Sequence, residues 1–196
     1  MRLAINLVLV ALAFFLVYAL YASIREPIAF KNEVEKRKNL VTAKLMKIRM
    51  AQEAYRDITG EFAPSFDTLS EVLTNGRFRI IKVLGDPDDP NYTGEITYDT
   101  SYTPARDSMR RMLKMNNFDS LRFVPYTAGK TFDIEAKVIE YQKTKVPVVE
   151  VGIPWTEFMG KYGDPSYNRY DQSYDPTKPV KFGSLYAPNL AGNWEG

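Results

Sequence analysis

Residues 3–22 contain no charged side chain, and Asn6 is their single polar break. As a helix, about 20 residues rise about 30 Å, the thickness of a bilayer's hydrocarbon core. Leu3, Leu7, Leu9, Phe14 and Phe15 supply apolar surface, and Tyr18 and Tyr21 stand where amphipathic rings favour the headgroup layer. A cleaved signal peptide has a shorter apolar core and a small-residue cleavage site, and bulky Leu20 spoils the best candidate, after Ala22. A soluble protein would rarely place its most apolar segment before any partner helix. No later segment is comparably apolar, so residues 1–24 read as a single transmembrane anchor.

The flanks give opposing signals on orientation. Arg2 and the amino terminus precede the run, and Arg25, Lys31, Lys36, Arg37 and Lys38 follow it among Glu26, Glu33 and Glu35. A count of Lys and Arg alone would keep the C-terminal side inside. A short N-tail with an Arg is also the usual start of a signal-anchor, whose long C-terminal domain is translocated. A domain outside the cytoplasmic (inner) membrane is the arrangement that the family resemblance given below implies.

Composition removes several chemistries. Net charge is +2, so no global field calls for nucleic acid. There is no Cys, which excludes disulfides, thiol nucleophiles and thiolate metal sites. There is no His, which removes the commonest general base and the commonest zinc and haem ligand. Triads built on His cannot form from this chain. Carboxylate, Lys, Tyr and Ser-Lys mechanisms survive in principle, but no catalytic residue, metal ligand or cofactor is assigned. The 13 Tyr and 11 Phe suit a chain that makes interfaces.

Beyond the anchor, Pro27 should kink or break the helix, because Glu26 before it is pushed from helical angles. Residues 31–39 are polar except Val34, and Glu33 with Arg37 gives i,i+4 support on an exposed side. The basic residues of 37–47 read as a solvated face or a headgroup contact. Val41, Leu45, Ile48, Ala51 and Tyr55 recur at three and four, a helical stripe, with Lys44 and Lys47 at its edge. Gly60 can take a left-handed cap, so residues 25–60 read as one extended amphipathic helix. A short helix is expected at 66–73, ended by Asn75 and Gly76.

Strands are expected at 78–84, 96–98, 121–126, 132–141, 146–153 and 180–186, with a hairpin loop at 142–145. Phe132, Ile134, Ala136 and Val138 alternate with charged residues, the period of a half-wet strand. Ile139 breaks that alternation, which predicts a bulge or cover on both faces. Thr103 and Pro104 read as a helix start leading to 115. A weaker helix is expected at 155–161. Residues 61–162 then form an α+β globular domain, and 163–196 an aromatic-rich tail that is draped over it or ordered by a partner.

The order of these parts resembles the type IV pilins and pseudopilins. The resemblance rests on the apolar run, on Pro27 and the stripe, and on two quoted stretches. One is Ile48, Arg49, Met50, Ala51, Gln52, Glu53, Ala54 and Tyr55. The other is Thr59, Gly60, Glu61, Phe62, Ala63 and Pro64, followed by Ser65, Phe66, Asp67, Thr68 and Leu69. It covers the first third of the chain. It implies a helix that is half anchor and half spine, packed on a small antiparallel sheet. The family's processing signal and its Glu at the fifth helix position have no counterpart around Leu3, Ala4 and Ile5. Filament growth through that Glu is not implied.

Other signals are weaker. The stretch 85–91, followed by Gly94 and Glu95, has oxygen ligands at calcium-like spacing, but Pro90 occupies the third ligand position and the stretch reads as a turn. Asn91, Tyr92 and Thr93 match a glycosylation sequon. Arg110, Arg111 and Lys114 read as the solvated face of a short helix. Tyr167, Tyr170, Tyr174 and Trp194 in the tail could dock a partner or stack on sugars, or else tie the tail to the sheet. The leading expectation is a non-enzymatic, membrane-anchored structural subunit of a cell-envelope complex for secretion, appendage or motility. Its partners would be the membrane and other envelope proteins, as homo- or hetero-oligomer. The alternative is an envelope-anchored module that binds glycan or peptidoglycan. A carboxylate-based glycosidase is the third class, with no acidic pair that stands out.

Overall fold

The structure, a computed structural model, describes residues 2–84, 97–172 and 174–195. The calcium-like spacing, the sequon and Ile96 of the expected 96–98 strand lie outside the described residues. The chain folds as mixed helix and sheet around one long helix, α1, Arg2–Thr59. Then come α2 (Phe66–Asn75), β1 (Arg77–Leu84), β2 (Thr97–Pro104) and α3 (Ala105–Leu113). A 3-10 turn at Phe118–Arg122 leads to β3 (Asp133–Tyr141), β4 (Thr144–Pro154), α4 (Trp155–Phe158) and finally β5 (Pro179–Gly183).

The two halves of α1 are different environments. Every large apolar side chain from Leu3 to Tyr21 is more than half exposed. This half is long and apolar enough to span a membrane. From Phe30 onward the helix becomes the core's central rod: Val41, Leu45, Ile48 and Ala51 have no accessible surface, and Tyr55 packs half-buried against them. Gly60 (φ 88°) closes the helix, its N–H donating to Arg56 O at 2.7 Å.

Pro27 does not break α1. Proline removes one N–H and strains the turn before it, at about 3 kcal/mol in a helix interior. Tertiary contacts grip both sides. Tyr170 donates its hydroxyl to Glu26 at 2.6 Å, and Phe30 is buried one turn later. The helix is held across the proline from outside.

Two antiparallel sheets form among the described residues. In the three-stranded sheet β4 is central, with the order β3-β4-β5. Its inner face places Ile134 opposite Val151, Ala136 opposite Val149, Val180 opposite Ile153 and Phe182 opposite Val151. These residues join Val41, Leu45 and Ile48 in one apolar cluster, so the spine does pack on a small antiparallel sheet. Pairing through Ile139 and Val146 is continuous, so the expected bulge is absent and Ile139 is half-buried on the opposite face. Among the described residues the second sheet is the β1-β2 ribbon, with Arg77 paired to Pro104 and Leu84 to Thr97. Its Ile80, Ile81, Val83, Tyr98 and Tyr102 are exposed.

Several boundaries differ from expectation. The 121–126 strand is instead the 3-10 turn, capped by Asn117 Oδ1 accepting from Asp119 N at 2.9 Å, plus one bridge between Phe123 and Thr131. Pro125 cannot donate to a ladder and Tyr126 sits at φ 65°, so no strand can extend there. Thr103 does not cap α3 but pairs with Phe78 in β2. Ala105 N donates to Gly76 O at 2.9 Å in place of a side-chain cap, and the helix ends at Leu113, not at 115, with Lys114 in the left-handed region. Gly76 must be glycine for closeness, since a Cβ there would stand 2.5 Å from Val72 O. The expected helix at 155–161 divides into α4 and a 3-10 turn at Gly160–Gly163.

The β3-β4 loop is two residues, Gln142 and Lys143, between paired Tyr141 and Thr144. Both have positive φ, 51° and 65°, the geometry of a type I′ turn. Each non-glycine residue there is strained by roughly 1–2 kcal/mol. Changing the pair to Asn-Gly is expected to stabilise by about 1 kcal/mol and raise Tm by about 2–4 °C. Thermal unfolding by circular dichroism checks this, and an unchanged or lower Tm would contradict the turn assignment.

Candidate interaction site at the base of the domain

Phe30 is the sole large apolar residue of 25–33 that the fold buries, at 1% exposed. It lies inside a tyrosine cage built by the tail. Tyr167 stacks on it at 5.3 Å, Tyr174 and Tyr162 meet it edge-on at 5.1 and 5.7 Å, and Tyr170 is tilted at 5.9 Å. Such pairs add about 0.5–1.5 kcal/mol each beyond burial. The tail can adopt this shape because short caps turn it. Asp164 accepts from Ser166 N at 2.8 Å to start the Pro165–Arg169 turn, and Asp175 accepts from Thr177 N at 3.1 Å. Hydrogen bonds from the Ser166 and Thr177 side chains first, and from those backbone N–H groups second, hold both carboxyls below their ordinary values.

Tyr174 is 4% exposed and donates its hydroxyl to Tyr162 O at 2.8 Å. Burial pushes its phenol up to about 12. The bond to Glu26 raises Tyr170 as well. A raised folded value means the folded state keeps its proton longer than the unfolded chain. That stability is whole below about pH 10 and is lost as pH rises through about 12. Tyr174→Phe is expected to flatten the loss of stability between pH 10 and 12, read by urea unfolding at a series of pH values. An equally steep decline in the variant would show that Tyr174 is not its source.

The spine's cations are brackets. Arg37 donates from Nε to Glu33 at 2.8 Å, from Nη1 to Phe158 O at 2.6 Å, and lies 4.7 Å over the Tyr126 ring. The expected i,i+4 pair exists, but it is half-buried and tied to the tail side of the domain, not displayed to solvent. The Arg37 bond holds Glu33 below its ordinary value. Lys44 donates to Ser120 O at 2.6 Å, and its burial pushes the ammonium down. Arg49 reaches Leu190 O at 3.2 Å and Glu195 at 2.8 Å. Glu195 is held low first by Gly192 N–H and then by Arg49. Arg37 and Lys44 are thus neither a solvated face nor free for headgroups. Lys or Arg at the edge of the stripe was the visible signal; their targets, carbonyls 76 to 141 residues away, were not.

The tail residues are therefore used in packing: Tyr167, Tyr170 and Tyr174 around Phe30, and Trp194 against the core edge. A cavity of about 260 Å³ remains between the spine and the tail, lined by Lys38, Trp155, Tyr174, Asp175, Lys178 and Trp194. The Trp194 indole N–H is buried with no partner among the described residues. Indole faces with a carboxylate and ammonium groups suit a polar ring such as a sugar. Among the described residues no three acidic side chains converge as a metal site would require. Arg110 binds Asn116 on the exposed face of α3, as a solvated cluster does.

The chain matches no protein-family model, and no curated protein or solved structure is significantly similar to it.

Proposed function

We propose that this protein is a membrane-anchored, non-enzymatic, pilin-like subunit of a cell-envelope complex, with its domain on the outer side of the cytoplasmic membrane. One observation carries the reading: a single unbroken helix leaves its first half wholly uncovered and builds its second half into the domain's core. Such a rod transmits position and force between a bilayer and a domain without a flexible joint. The β1-β2 ribbon supports a role among protein partners. A lone two-stranded ribbon is marginal in water, and this one displays apolar side chains on both faces.

In-cell cross-linking of the full chain, followed by mass spectrometry after mild detergent extraction, tests the proposal. The expected result is repeated capture of one defined set of envelope proteins through the ribbon or the spine. Recovery of a lone monomer, or of the protein in the soluble fraction, would overturn it.

The Trp155–Trp194 cavity favours a second reading, an anchored glycan-binding module. Pull-down with cell-wall polymer should then be lost on Trp194→Ala with the fold intact by circular dichroism. Binding that survives the substitution would reject this reading.

A further inference from the structure

Below the tyrosine cage, an open groove of about 510 Å³ runs between the upper turns of the apolar half of α1 and the Gly160–Gly163 turn. Tyr18, Tyr21 and Ala22 line its lower wall, and Arg25, Lys161 and Tyr162 line its upper part. Arg25 and Lys161 are exposed, and neither forms an ion pair among the described residues. Each rests on an aromatic face instead, Arg25 5.8 Å from the Tyr21 ring and Lys161 4.7 Å from Tyr162. The groove's carboxylate, Glu26, is already engaged by the Tyr170 hydroxyl at 2.6 Å and Arg169 at 3.5 Å. Two cations therefore face one groove whose single acid is satisfied.

Depth decides what such a groove meets, given the membrane-anchor reading on which this inference rests. With residues 3–22 across the hydrocarbon core, Arg25 stands about 4–5 Å past its edge, at about 1.5 Å per residue. The headgroup layer is about 5–8 Å thick on each side. Arg25 thus lies at phosphate level, and Tyr18 and Tyr21 lie at the level of the uppermost acyl carbons. Lys161 comes from the folded domain, 136 positions along the chain, so the fold brings a second cation to a depth the helix already sets.

We infer that this groove binds the phosphate of an anionic phospholipid, between Arg25 and Lys161, with the lipid's first acyl carbons against Tyr18, Tyr21 and Ala22. The bound lipid fixes the domain's height and rotation on the membrane. A zwitterionic lipid brings its own cation into a groove that already holds two, and is disfavoured. Free phosphate lacks the chain that fills the lower wall.

The full chain in nanodiscs of mixed phosphatidylglycerol and phosphatidylcholine, released into native mass spectrometry, tests this. Phosphatidylglycerol should be retained at one per chain, in preference to phosphatidylcholine. The double substitution Arg25→Gln with Lys161→Gln should lower retention roughly thirtyfold, from about two cation contributions near a charged surface. Arg25→Lys with Lys161→Arg should preserve it. Inorganic phosphate in excess should not displace the lipid. Equal retention of both lipids, retention unchanged by the double substitution, or displacement by phosphate would each overturn the inference. Flotation with vesicles separates the premise from the inference: failure to float rejects the anchor and this site together, and flotation without selective retention rejects the site alone.

Discussion

Phe30→Ala is expected to destabilise the domain by about 3–5 kcal/mol, the usual range for truncating a buried aromatic. Four tyrosines surround that ring, three of them from residues 165–174 of the tail, and Val34, one turn on, is only half-buried at the edge of the core. The loss should be local first. Tyr167 and Tyr170 would lose their common partner, leaving the contacts of Tyr170 and Arg169 with Glu26 as the tail's hold on that part of α1. Limited trypsin proteolysis of the detergent-solubilised protein should then cut after Arg169 well before the core opens. Urea unfolding gives the global figure. If the variant resists cleavage at that site as the parent does, the cage does not hold the tail. Phe30→Leu, which keeps apolar volume, should recover part of the stability and most of the protection.

Gln52→Leu is expected to be nearly as damaging, at about 2–5 kcal/mol. Gln52 has no accessible surface. It donates from Nε2 to Ala63 O at 3.1 Å and accepts Ala63 N–H at Oε1 at 2.9 Å. Leucine fills similar space but orphans both backbone groups of fully buried Ala63, at about 1–3 kcal/mol for each. The bond pair fixes the turn after α1, and with it the approach of Phe62 and Phe66 to the core. Hydrogen exchange at the Ala63 amide should accelerate, alongside a lower urea midpoint. A variant with the parent's midpoint would mean that water replaces the amide at Ala63.

The stripe Val41, Leu45, Ile48, Ala51 and Tyr55 was readable because helical burial repeats at three and four, and the fold buries or half-buries all of it. The strands at 132–141 and 146–153 were readable for the matching reason at period two, and they pair within two residues of the expected limits. Periodicity fails where one side chain decides alone. Phe30 follows Ile28 and Ala29 just before the polar 31–39, eleven positions ahead of the stripe that starts at Val41, and Gln52 is polar, so neither stands out as core from periodicity. The 121–126 segment has strand-like composition, yet Pro125 and the left-handed Tyr126 deny it a ladder. Thr103 offered a cap, but pairing with Phe78 claimed it for a strand.

The sequence by itself determined a long apolar helix, an amphipathic continuation, an α+β plan and the absence of any chemistry needing His or Cys. Those follow from local patterning and from residue inventory, which need no partner in space. Only the tertiary structure decided that α1 runs unbroken through Pro27, that Arg37, Lys44 and Arg49 bind distant carbonyls, and that the tail's tyrosines close on Phe30. Each depends on groups brought together across 76 to 146 residues. Contacts between such positions leave no periodic trace along the chain, and their free energy outweighs the local preferences that patterning reports.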